Sequence, residues 1–217
     1  MLTFKKVAKS FGNTFALSDI SFEVKDGEFV FITGPSGAGK TTLLRLITGE
    51  LSPDKGTIIF GNKDISLLSA KEVPFHRQKI GVVFQDYKIL LERTVRENVE
   101  VALAVTGIPE SEWAKKVANA LKSVGLEKKG NLFPAQLSGG EQQRAALARA
   151  LVVNPKIILA DEPTGNLDWE TADGIMKLLE KINKEGKTVV VATHNRAIIE
   201  KMGKREIELK DGKIAKK

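Results

Sequence analysis

The residues with the clearest chemical potential form a glycine-rich loop that also contains a lysine and a threonine. In order they are Gly34, Pro35, Ser36, Gly37, Ala38, Gly39, Lys40 and Thr41. Glycines let backbone N–H groups curl around phosphate oxygens, and a helix predicted over residues 41–48 adds the partial positive charge of its N-terminus. A lysine in the first turn of a helix is electrostatically unfavourable unless an anion lies beside it, so Lys40 favours a polyphosphate ligand. A glycine-rich turn with a surface lysine is the alternative, but the strand and helix predicted on either side fit a phosphate-binding loop.

Two adjacent carboxylates supply a second chemical feature. Asp161 and Glu162 follow an apolar run at residues 157–160. An aspartate at a strand end can hold Mg²⁺, to which Thr41 would add its hydroxyl, and the next carboxylate can deprotonate an attacking water. The alternative is an acidic start to the turn at residues 162–165. Beside a phosphate loop the catalytic interpretation prevails, with Glu162 as the general base.

A third feature, at residues 138–141, has the pattern of a helix N-terminus. Ser138 and Glu141 have the Ser-x-x-Glu spacing of a capping box, and Gly139 and Gly140 between them leave backbone N–H groups uncovered by side chains. Such an end is a second phosphate-facing surface, about a hundred residues from the first. Since one polyphosphate rarely needs two helix ends from one chain, the sequence favours two copies related by a twofold axis, each lending this end to the other's ligand.

The elements that must position these groups are four continuous apolar runs, typical of strands buried on both faces. The runs lie at residues 29–32, 80–84, 157–160 and 189–192. The residues that follow them within one or two positions are Gly34, Gln85, Asp161, Glu162 and His194. In parallel sheets ligands bind beyond the carboxyl ends of the strands, so the sequence predicts that these residues gather at one edge.

Three further residues have two interpretations each. His194 could contact a γ-phosphate or simply close the end of its strand. The amide of Gln85 could sense Mg²⁺ or the attacking water, or belong to an ordinary loop. Phe11 could stack on adenine or fill the core.

Turn and periodicity signals predict the surrounding architecture. Alternating apolar and polar residues before Asp26-Gly27 and before Asp211-Gly212 predict two antiparallel hairpin elements at the rim of a larger body. Residues 86–155 are predominantly helical in pattern, which predicts a helical subdomain inserted into an α/β core.

Two helices are predicted within that segment. One contains Trp113 and stops at Gly125, and the other covers residues 142–153. We expect Trp113 to be a core residue rather than a base-stacking platform. The chain is predicted to be one compact, two-lobed unit.

Composition excludes several classes of protein. The 217-residue chain is 42% hydrophobic and 28% charged, the balance of a soluble globular protein. It has no cysteine, which excludes disulfides and thiolate metal sites, and two histidines argue against a histidine-rich zinc site. No run approaches the ~20 apolar residues of a membrane-spanning helix, and no export leader is recognisable at the start. We therefore expect a cytoplasmic protein.

The net charge of +7 favours anionic partners such as nucleotides, nucleic acid or an acidic membrane surface. The lysines are spread along the whole chain without an arginine-rich arm. A generally solvated basic surface is therefore the preferred interpretation, and no nucleic-acid partner is expected.

In order and spacing these motifs resemble those of the nucleotide-binding subunits of ABC transporters, over essentially the whole chain. Residues 34–41 resemble the Walker A loop, and residues 157–162 resemble Walker B with its catalytic glutamate. Residues 137–141, Leu-Ser-Gly-Gly-Glu, resemble the signature motif that separates this family from other phosphate-loop proteins.

Smaller motifs agree with this resemblance. Gln85 matches the Q-loop, residues 166–168 match the D-loop, and His194 matches the switch histidine. Phe11 stands where the adenine-stacking aromatic of the family belongs.

The resemblance implies an α/β fold: a P-loop NTPase (RecA-like) core with a mostly parallel sheet, an N-terminal antiparallel β subdomain and an inserted helical subdomain. Residues 1–217 would form one ABC ATPase domain. Its core would lie at about 1–85 and 156–217, and its helical subdomain at about 86–155.

The resemblance also implies a set of site residues, an ATP ligand and a Mg²⁺ ion. The catalytic residues would be Glu162, His194 and Gln85. The residues that bind ATP would be Phe11, Gly34, Pro35, Ser36, Gly37, Ala38, Gly39, Lys40, Thr41, Thr42, Ser138, Gly139, Gly140 and Asp168. The metal ligands would be Thr41, Gln85 and Asp161. An ATP-dependent homodimer would act with an integral membrane partner, peripherally on the inner face of the cell membrane.

Residues 161–168 are similar to a subgroup whose membrane partners transmit mechanical force. Within it, residues 79–90 and 94–99 are most similar to the cell-division members, and lipoprotein release (LolD-like) or MacB-type efflux are the alternatives. Trp169 departs from the subgroup, which usually has a small residue or proline there. A soluble ABC ATPase acting on DNA or ribosomes is disfavoured, because this chain has one ATPase half and none of the insertions usual in that class.

Overall fold

The structure, a computed structural model, describes residues 2–216, which form ten strands and seven α-helices. In chain order these are β1 (Leu2–Phe11), β2 (Thr14–Val24), β3 (Phe29–Thr33), α1 (Lys40–Ile47), β4 (Lys55–Phe60), β5 (Lys63–Asp64), α2 (Val73–Arg77), β6 (Ile80–Phe84), α3 (Val95–Ala104), α4 (Trp113–Ser123), α5 (Gly139–Leu151), β7 (Ile157–Asp161), α6 (Trp169–Lys184), β8 (Thr188–Ala192), α7 (Arg196–Met202), β9 (Arg205–Lys210) and β10 (Lys213–Lys216).

The chain divides into two units. The first contains the described residues up to Arg77 and from Asn183 onward, and the second contains Gln78–Ile182. Strands β6 and β7 therefore group with α3, α4 and α5. The boundaries predicted for a helical subdomain, about 86–155, stay a prediction.

The first unit contains an antiparallel sheet and a mostly parallel one. The antiparallel sheet has the order β2-β1-β4-β5. In the other, β3 lies between β8 and β9, parallel to both, and β10 pairs antiparallel with β9. Every residue of β3 and β8 is buried, as expected for strands covered on both faces. The predicted α/β class, with a mostly parallel sheet and an N-terminal antiparallel one, is confirmed.

The second unit contains the parallel pair β6–β7 and the helices α3, α4 and α5. The four predicted strands are all present, but β6 is not buried along its whole length, since Phe84 is 38% exposed. Trp113 is half-buried rather than fully buried, and its indole N–H donates to the carbonyl of Ile108 at 2.9 Å. Helix α5 begins three residues before the predicted position because its cap is Ser138.

The two predicted hairpin signals have different outcomes. Asp211 and Gly212 join β9 to β10 with φ of 49° and 70°, the geometry of a two-residue type I′ turn. The prediction at Asp26-Gly27 is wrong, because this turn leads from β2 in the antiparallel sheet to β3 in the parallel one. The apolar residues of β3 are buried by pairing with β8 and β9, which a strand returning along β2 would not allow.

The register of the parallel ladders decides which residues meet beyond the strand ends. In the first unit Ile32 pairs with Ala192, so Gly34 and His194 each lie two residues beyond the same rung. In the second unit Phe84 pairs with Asp161, so Gln85 and Glu162 each follow the same rung. Register thus places the sequence motifs in pairs at the carboxyl ends of the strands.

The capping box of α3 gives a test of this fold. The Thr94 hydroxyl accepts from the Glu97 N–H at 3.2 Å, and the Glu97 carboxylate accepts from the Thr94 N–H at 2.7 Å. We expect Thr94→Ala to lower the free energy of unfolding by about 1 kcal/mol, because the Glu97 N–H in the first turn loses its acceptor. Thr94→Ser keeps the acceptor and should stay within about 0.5 kcal/mol of the wild type in urea denaturation. Equal losses in both variants would contradict the capping role.

Candidate functional site

The glycine-rich loop joins β3 to α1 and adopts a backbone that a side chain would prevent. Gly34 has a φ of 138°, and a Cβ atom on it would lie 2.2 Å from the carbonyl oxygen of Leu209. Pro35, Ser36 and Gly37 at the tip are exposed, whereas Ala38 and Gly39 are buried. The loop is therefore fixed at its two ends against β9 and β2 while its tip faces outward.

Lys40 is the first residue of α1 and lies against the loop. Its side chain is buried, and its ammonium group donates to the carbonyls of Gly34 at 2.8 Å and Pro35 at 3.1 Å. No acidic residue occupies the first turn of α1. Thr41 is exposed and Thr42 is half-buried in the same turn. The charged ammonium, the helix N-terminus and two hydroxyls form a concentrated anion-attracting end.

His194 lies beside the start of this loop, as the β3–β8 register requires. A cavity of about 220 Å³ is lined by Thr33, Gly34, Pro35, His194, Arg196 and Glu208. The helix that follows is capped by Asn195, whose side-chain oxygen accepts from the Ile198 N–H at 3.3 Å. His194 is exposed and is one of the residues that line this cavity. The structure thus brings together two of the predicted motifs in the first unit.

An ion-pair network that the sequence did not reveal surrounds this cavity. Arg196 donates to Glu206 at 2.5 Å and to Glu208 at 3.1 Å, and the Thr33 hydroxyl donates to Glu206 at 2.6 Å. Partial burial raises the pKa of Glu206, but the Thr33 hydrogen bond and the Arg196 charge outweigh it and hold that pKa below its ordinary value. Both glutamates alternate with apolar residues along β9, so from sequence they resembled a solvated face.

Asp161 and Glu162 leave β7 at its carboxyl end, both half-buried. Glu162 has a φ of 46°, a left-handed conformation that is unfavourable for a residue with a side chain. The predicted turn at residues 162–165 is confirmed by a hydrogen bond from the Gly165 N–H to the Glu162 carbonyl at 3.1 Å. Strained backbone of this kind is frequent at catalytic positions.

Gln85 contacts the segment that follows this turn. Its side-chain N–H donates to the Asn166 side-chain oxygen at 3.2 Å, and the Asn166 amide donates to the Gln85 carbonyl at 3.1 Å. The two residues therefore hold each other across the ends of β6 and β7. This reciprocal pair links the predicted Q-loop and D-loop residues within the second unit.

Asp168 directly precedes α6, and its side chain is hydrogen-bonded to Thr171. It accepts from the Thr171 N–H at 3.0 Å and from the Thr171 hydroxyl at 2.6 Å. These hydrogen bonds lower the pKa of Asp168. Trp169, which departs from the subgroup pattern, is 51% exposed at the same helix end.

The N-terminus of α5 has the predicted capping box. The Ser138 hydroxyl accepts from the Glu141 N–H at 3.3 Å, and the Glu141 carboxylate accepts from the Ser138 N–H at 3.1 Å. An ion pair with Lys129 and the Ser138 N–H lower the pKa of Glu141. Ser138 is exposed and Gly139 is half-buried.

Gly140 is buried by a close approach between α5 and α6. A Cβ atom on it would lie 2.3 Å from a methyl carbon of Thr171. Thr171 thus places its hydroxyl on Asp168 and its methyl group on Gly140. The glycine has a packing role in addition to the phosphate-facing role that the sequence suggested.

Two further residues of α5 contact the loops, and sequence reasoning missed both. Gln143 is fully buried, and its amide donates to the carbonyls of Pro163 at 2.5 Å and Phe84 at 3.4 Å. Arg149 donates to the carbonyls of Tyr87 at 3.0 Å and Lys88 at 2.7 Å. From the sequence, a glutamine and an arginine on a helix are expected to face solvent. Only the tertiary structure shows that they donate to loop carbonyls.

The Arg149 contact supports a strained segment. Tyr87 and Lys88 both have positive φ, 58° and 48°. Each left-handed residue costs about 1–2 kcal/mol, and hydrogen bonds from a charged donor contribute about that much in return. Burial lowers the pKa of the Arg149 guanidinium from its ordinary value.

Phe11, at the end of β1, is not a core residue. The residue is 49% exposed, and the ammonium group of Lys9 lies 5.9 Å from the centroid of its ring. The alternative of a core role is therefore wrong for this residue. Its stacking on adenine stays a prediction.

Four exposed apolar residues lie in the second unit: two in the loop before α3, one on α3 and one directly after it. Leu90 is 43% exposed, Leu91 71%, Val101 43% and Val105 73%. The loop is held by the fully buried side chain of Asn98, whose oxygen accepts from the Leu90 N–H and whose amide donates to the Leu90 carbonyl. We refer to these four residues as the apolar surface. Among residues 2–216, no helix is both long and apolar enough to cross a membrane.

Comparisons with known proteins agree with this arrangement. The profile of the ABC transporter family matches residues 17–165. The chain is 50% identical to the cell division ATP-binding protein FtsE of Bacillus subtilis (strain 168), over 100% of this chain and 95% of the relative. It is 46% identical to the FtsE of Escherichia coli (strain K12), over 99% of this chain and 97% of the relative.

Solved structures are similar over the same length. A dimeric post-hydrolysis state of the ATP-binding cassette MJ0796, bound to ADP and Pi, has a TM-score of 0.88 at 41% identity and covers 100% of this chain and 97% of its own. The structure of cbiO1 from Clostridium perfringens, part of a cbiONQ transporter complex, has a TM-score of 0.91 at 35% identity, covering 99% and 86%. The family profile and the identities over the full length show that this chain belongs to the ABC transporter family and is an ATPase.

Proposed function

We propose that the chain is the ATP-binding and ATP-hydrolysing subunit of a membrane complex that acts in cell division, with an FtsX-like integral membrane partner. The observation that carries the proposal is the 50% identity to an FtsE over the full length of the chain. In this proposal the complex also controls peptidoglycan hydrolysis. The apolar surface of the second unit supports it, since four exposed aliphatic side chains on a loop and a helix fit a partner of apolar chemistry.

In this proposal the phosphate loop binds the polyphosphate of ATP. The Lys40 ammonium exchanges its bonds to Gly34 and Pro35 for phosphate oxygens, and the N–H groups at the start of α1 bind the same anion. The remaining residues of the loop, from Gly34 to Thr42, shape the cradle. Phe11 stacks on the adenine with its exposed ring.

Glu162 is the general base and His194 the polar contact to the γ-phosphate. The Glu162 carboxylate accepts the proton of the attacking water, and Gln85 helps to orient that water. Thr41 in the first unit and Asp161 and Gln85 in the second each offer an oxygen ligand of the kind that Mg²⁺ prefers. When bound, the ion would neutralise charge on the phosphate oxygens.

Two copies complete the site. The dimeric state of the similar cassette MJ0796 supports an ATP-dependent homodimer. We infer that Ser138, Gly139 and Gly140 of one copy face the ATP held by the other. Asp168 lies close to Gly140 within the second unit, because Thr171 contacts both residues. Hydrolysis then lets the dimer reopen, and the motion passes to the membrane partner through the apolar surface. Because the partner is on the membrane, the proposed location is the inner face of the cell membrane.

Glu162→Gln tests the general base. The variant should bind ATP as the wild type does, lose turnover by roughly 100-fold or more, and accumulate an ATP-bound dimer, because the proton acceptor is gone. Glu170→Gln, the same change at an exposed position of α6, is the control and should keep wild-type turnover. ATPase assays and size-exclusion chromatography with ATP measure the outcome. Normal turnover in Glu162→Gln would refute the assignment.

Lys40→Ala tests the phosphate loop. Loss of a charged donor should weaken ATP binding about 10- to 100-fold in equilibrium titration. Lys71→Ala, at an exposed position of the same unit, should leave the affinity unchanged. Near-normal affinity in Lys40→Ala would contradict the anion-binding role.

Leu91→Ser tests the apolar surface and identifies the partner. Detergent-solubilised membranes from cells producing the tagged chain should yield the membrane partner, identified by mass spectrometry, and this variant should recover roughly fivefold less of it. Its ATPase activity as an isolated protein should stay within about twofold. Leu67→Ser, 81% exposed in the first unit, is the matched control and should recover a normal amount. Recovery of a lipoprotein-release or MacB-type partner instead of an FtsX-like protein would overturn the cell-division proposal.

A further inference from the structure

Gln143 is the residue of α5 that reaches the catalytic turn. It lies one turn beyond the capped end of the helix, with no exposed surface. Its amide donates to the carbonyl of Pro163, the residue directly after Glu162, at 2.5 Å. The same amide lies 3.4 Å from the carbonyl of Phe84, the residue directly before Gln85. One side chain therefore contacts the backbone next to two proposed catalytic residues.

Packing alone does not explain a glutamine at this position. The Gln143 side-chain oxygen is buried and has no hydrogen-bond partner among the described residues. A methionine would fill a similar volume without leaving an acceptor unsatisfied. The donor half of the amide is thus the part with a specific task, which is to hold the two carbonyls.

The turn that Gln143 holds has a strained backbone. Glu162 adopts a left-handed conformation, and the turn is closed by backbone hydrogen bonds from the Gly165 N–H to Glu162 and from the Leu167 N–H to Thr164. From the other side, Gln85 and Asn166 hold the segment that follows. Gln143 fixes the middle of the turn, so its loss would let the Glu162 carboxylate move relative to the end of β6.

We propose that Gln143 is a positioning residue that fixes the Glu162 turn and connects it to the phosphate-facing end of α5. The inference rests on the proposed roles of Glu162 and Ser138. Ser138 and Gln143 lie about one turn apart on α5. When Ser138 contacts the ATP held by the second copy, the position of the helix is fixed, and Gln143 then fixes the position of Pro163. Gln143 thereby links occupation of one ATP site to the geometry of the catalytic carboxylate in the other.

Gln143→Met in the full-length chain tests this role. The variant keeps the side-chain volume and removes the donor, so kcat for ATP should fall roughly 10- to 100-fold, as expected for a misplaced catalytic group. The equilibrium affinity for ATP should stay within about twofold, since the phosphate loop is untouched. Hydrogen exchange should accelerate at the Gly165 and Leu167 amides, which close this turn.

Asn183→Leu is the matched control. Asn183 also donates to two backbone carbonyls, Gly27 at 2.9 Å and Lys187 at 2.8 Å, but neither adjoins a proposed catalytic residue. Its kcat should stay near the wild-type value, even if its melting temperature falls as far as that of Gln143→Met. Equal kcat losses in the two variants would overturn the proposal, because a general loss of stability would then explain both.

Glu162→Gln is assayed in parallel to separate the two possible failures. If Glu162→Gln turns over normally, there is no catalytic base to position, and both the proposed function of that residue and this inference fail. If Glu162→Gln is inactive and Gln143→Met has wild-type kcat and exchange, this inference alone fails. Should Gln143→Met not fold, Gln143→Asn takes its place, since it keeps the amide but withdraws it by one methylene. A folded Gln143→Asn with wild-type kcat would equally overturn the proposal.

Discussion

The parallel pairing of buried strands is the constraint on which the rest of this structure depends. Parallel ladders fix the level at which each strand ends, and here Ile32 is paired with Ala192 and Phe84 with Asp161. The residues that follow two paired positions therefore lie next to each other at the carboxyl ends of the two strands. Gly34 and His194 are consequently neighbours in the first unit, and Gln85 and Glu162 are neighbours in the second.

A chain that turns sharply at the end of a buried strand needs backbone dihedral angles that are rare for most residues. In this protein, candidate site residues lie at such positions. Gly34 leaves β3 with a φ that only glycine adopts easily, and Glu162 leaves β7 in a left-handed conformation despite its side chain. Tyr87 and Lys88 follow β6 in the same region of conformational space. Hydrogen bonds to the carbonyls of these segments offset part of the strain.

Helix α5 supplies much of that compensation in the second unit. Its first turn is closed by the Ser138 capping box, its second turn donates through Gln143, and its last turn donates through Arg149. Because Gly140 has no side chain, the start of α5 packs closely against Thr171 of α6. Thr171 is in turn hydrogen-bonded to Asp168. A helix that contacts these loops in this way fixes their positions relative to one another, as the proposed transmission of motion to a membrane partner requires.

The sequence by itself determined the chemistry of the protein, because that chemistry depends on residue types at short spacing. The phosphate loop, the carboxylate pair, the capping box and the buried strands all follow from local patterns, and the strands, the cap and the turn at Asp211-Gly212 lie where those patterns put them. Only the tertiary structure decided that Asp26-Gly27 joins two sheets, that Phe11 is exposed, and that Gln143, Arg149 and Thr171 hold the functional loops. The physical reason is the same in each instance. Segments distant in sequence determine which strand a strand pairs with, how exposed a side chain is and which carbonyl accepts its hydrogen bond. The residues next to a turn or to a helical glutamine do not indicate any of these properties.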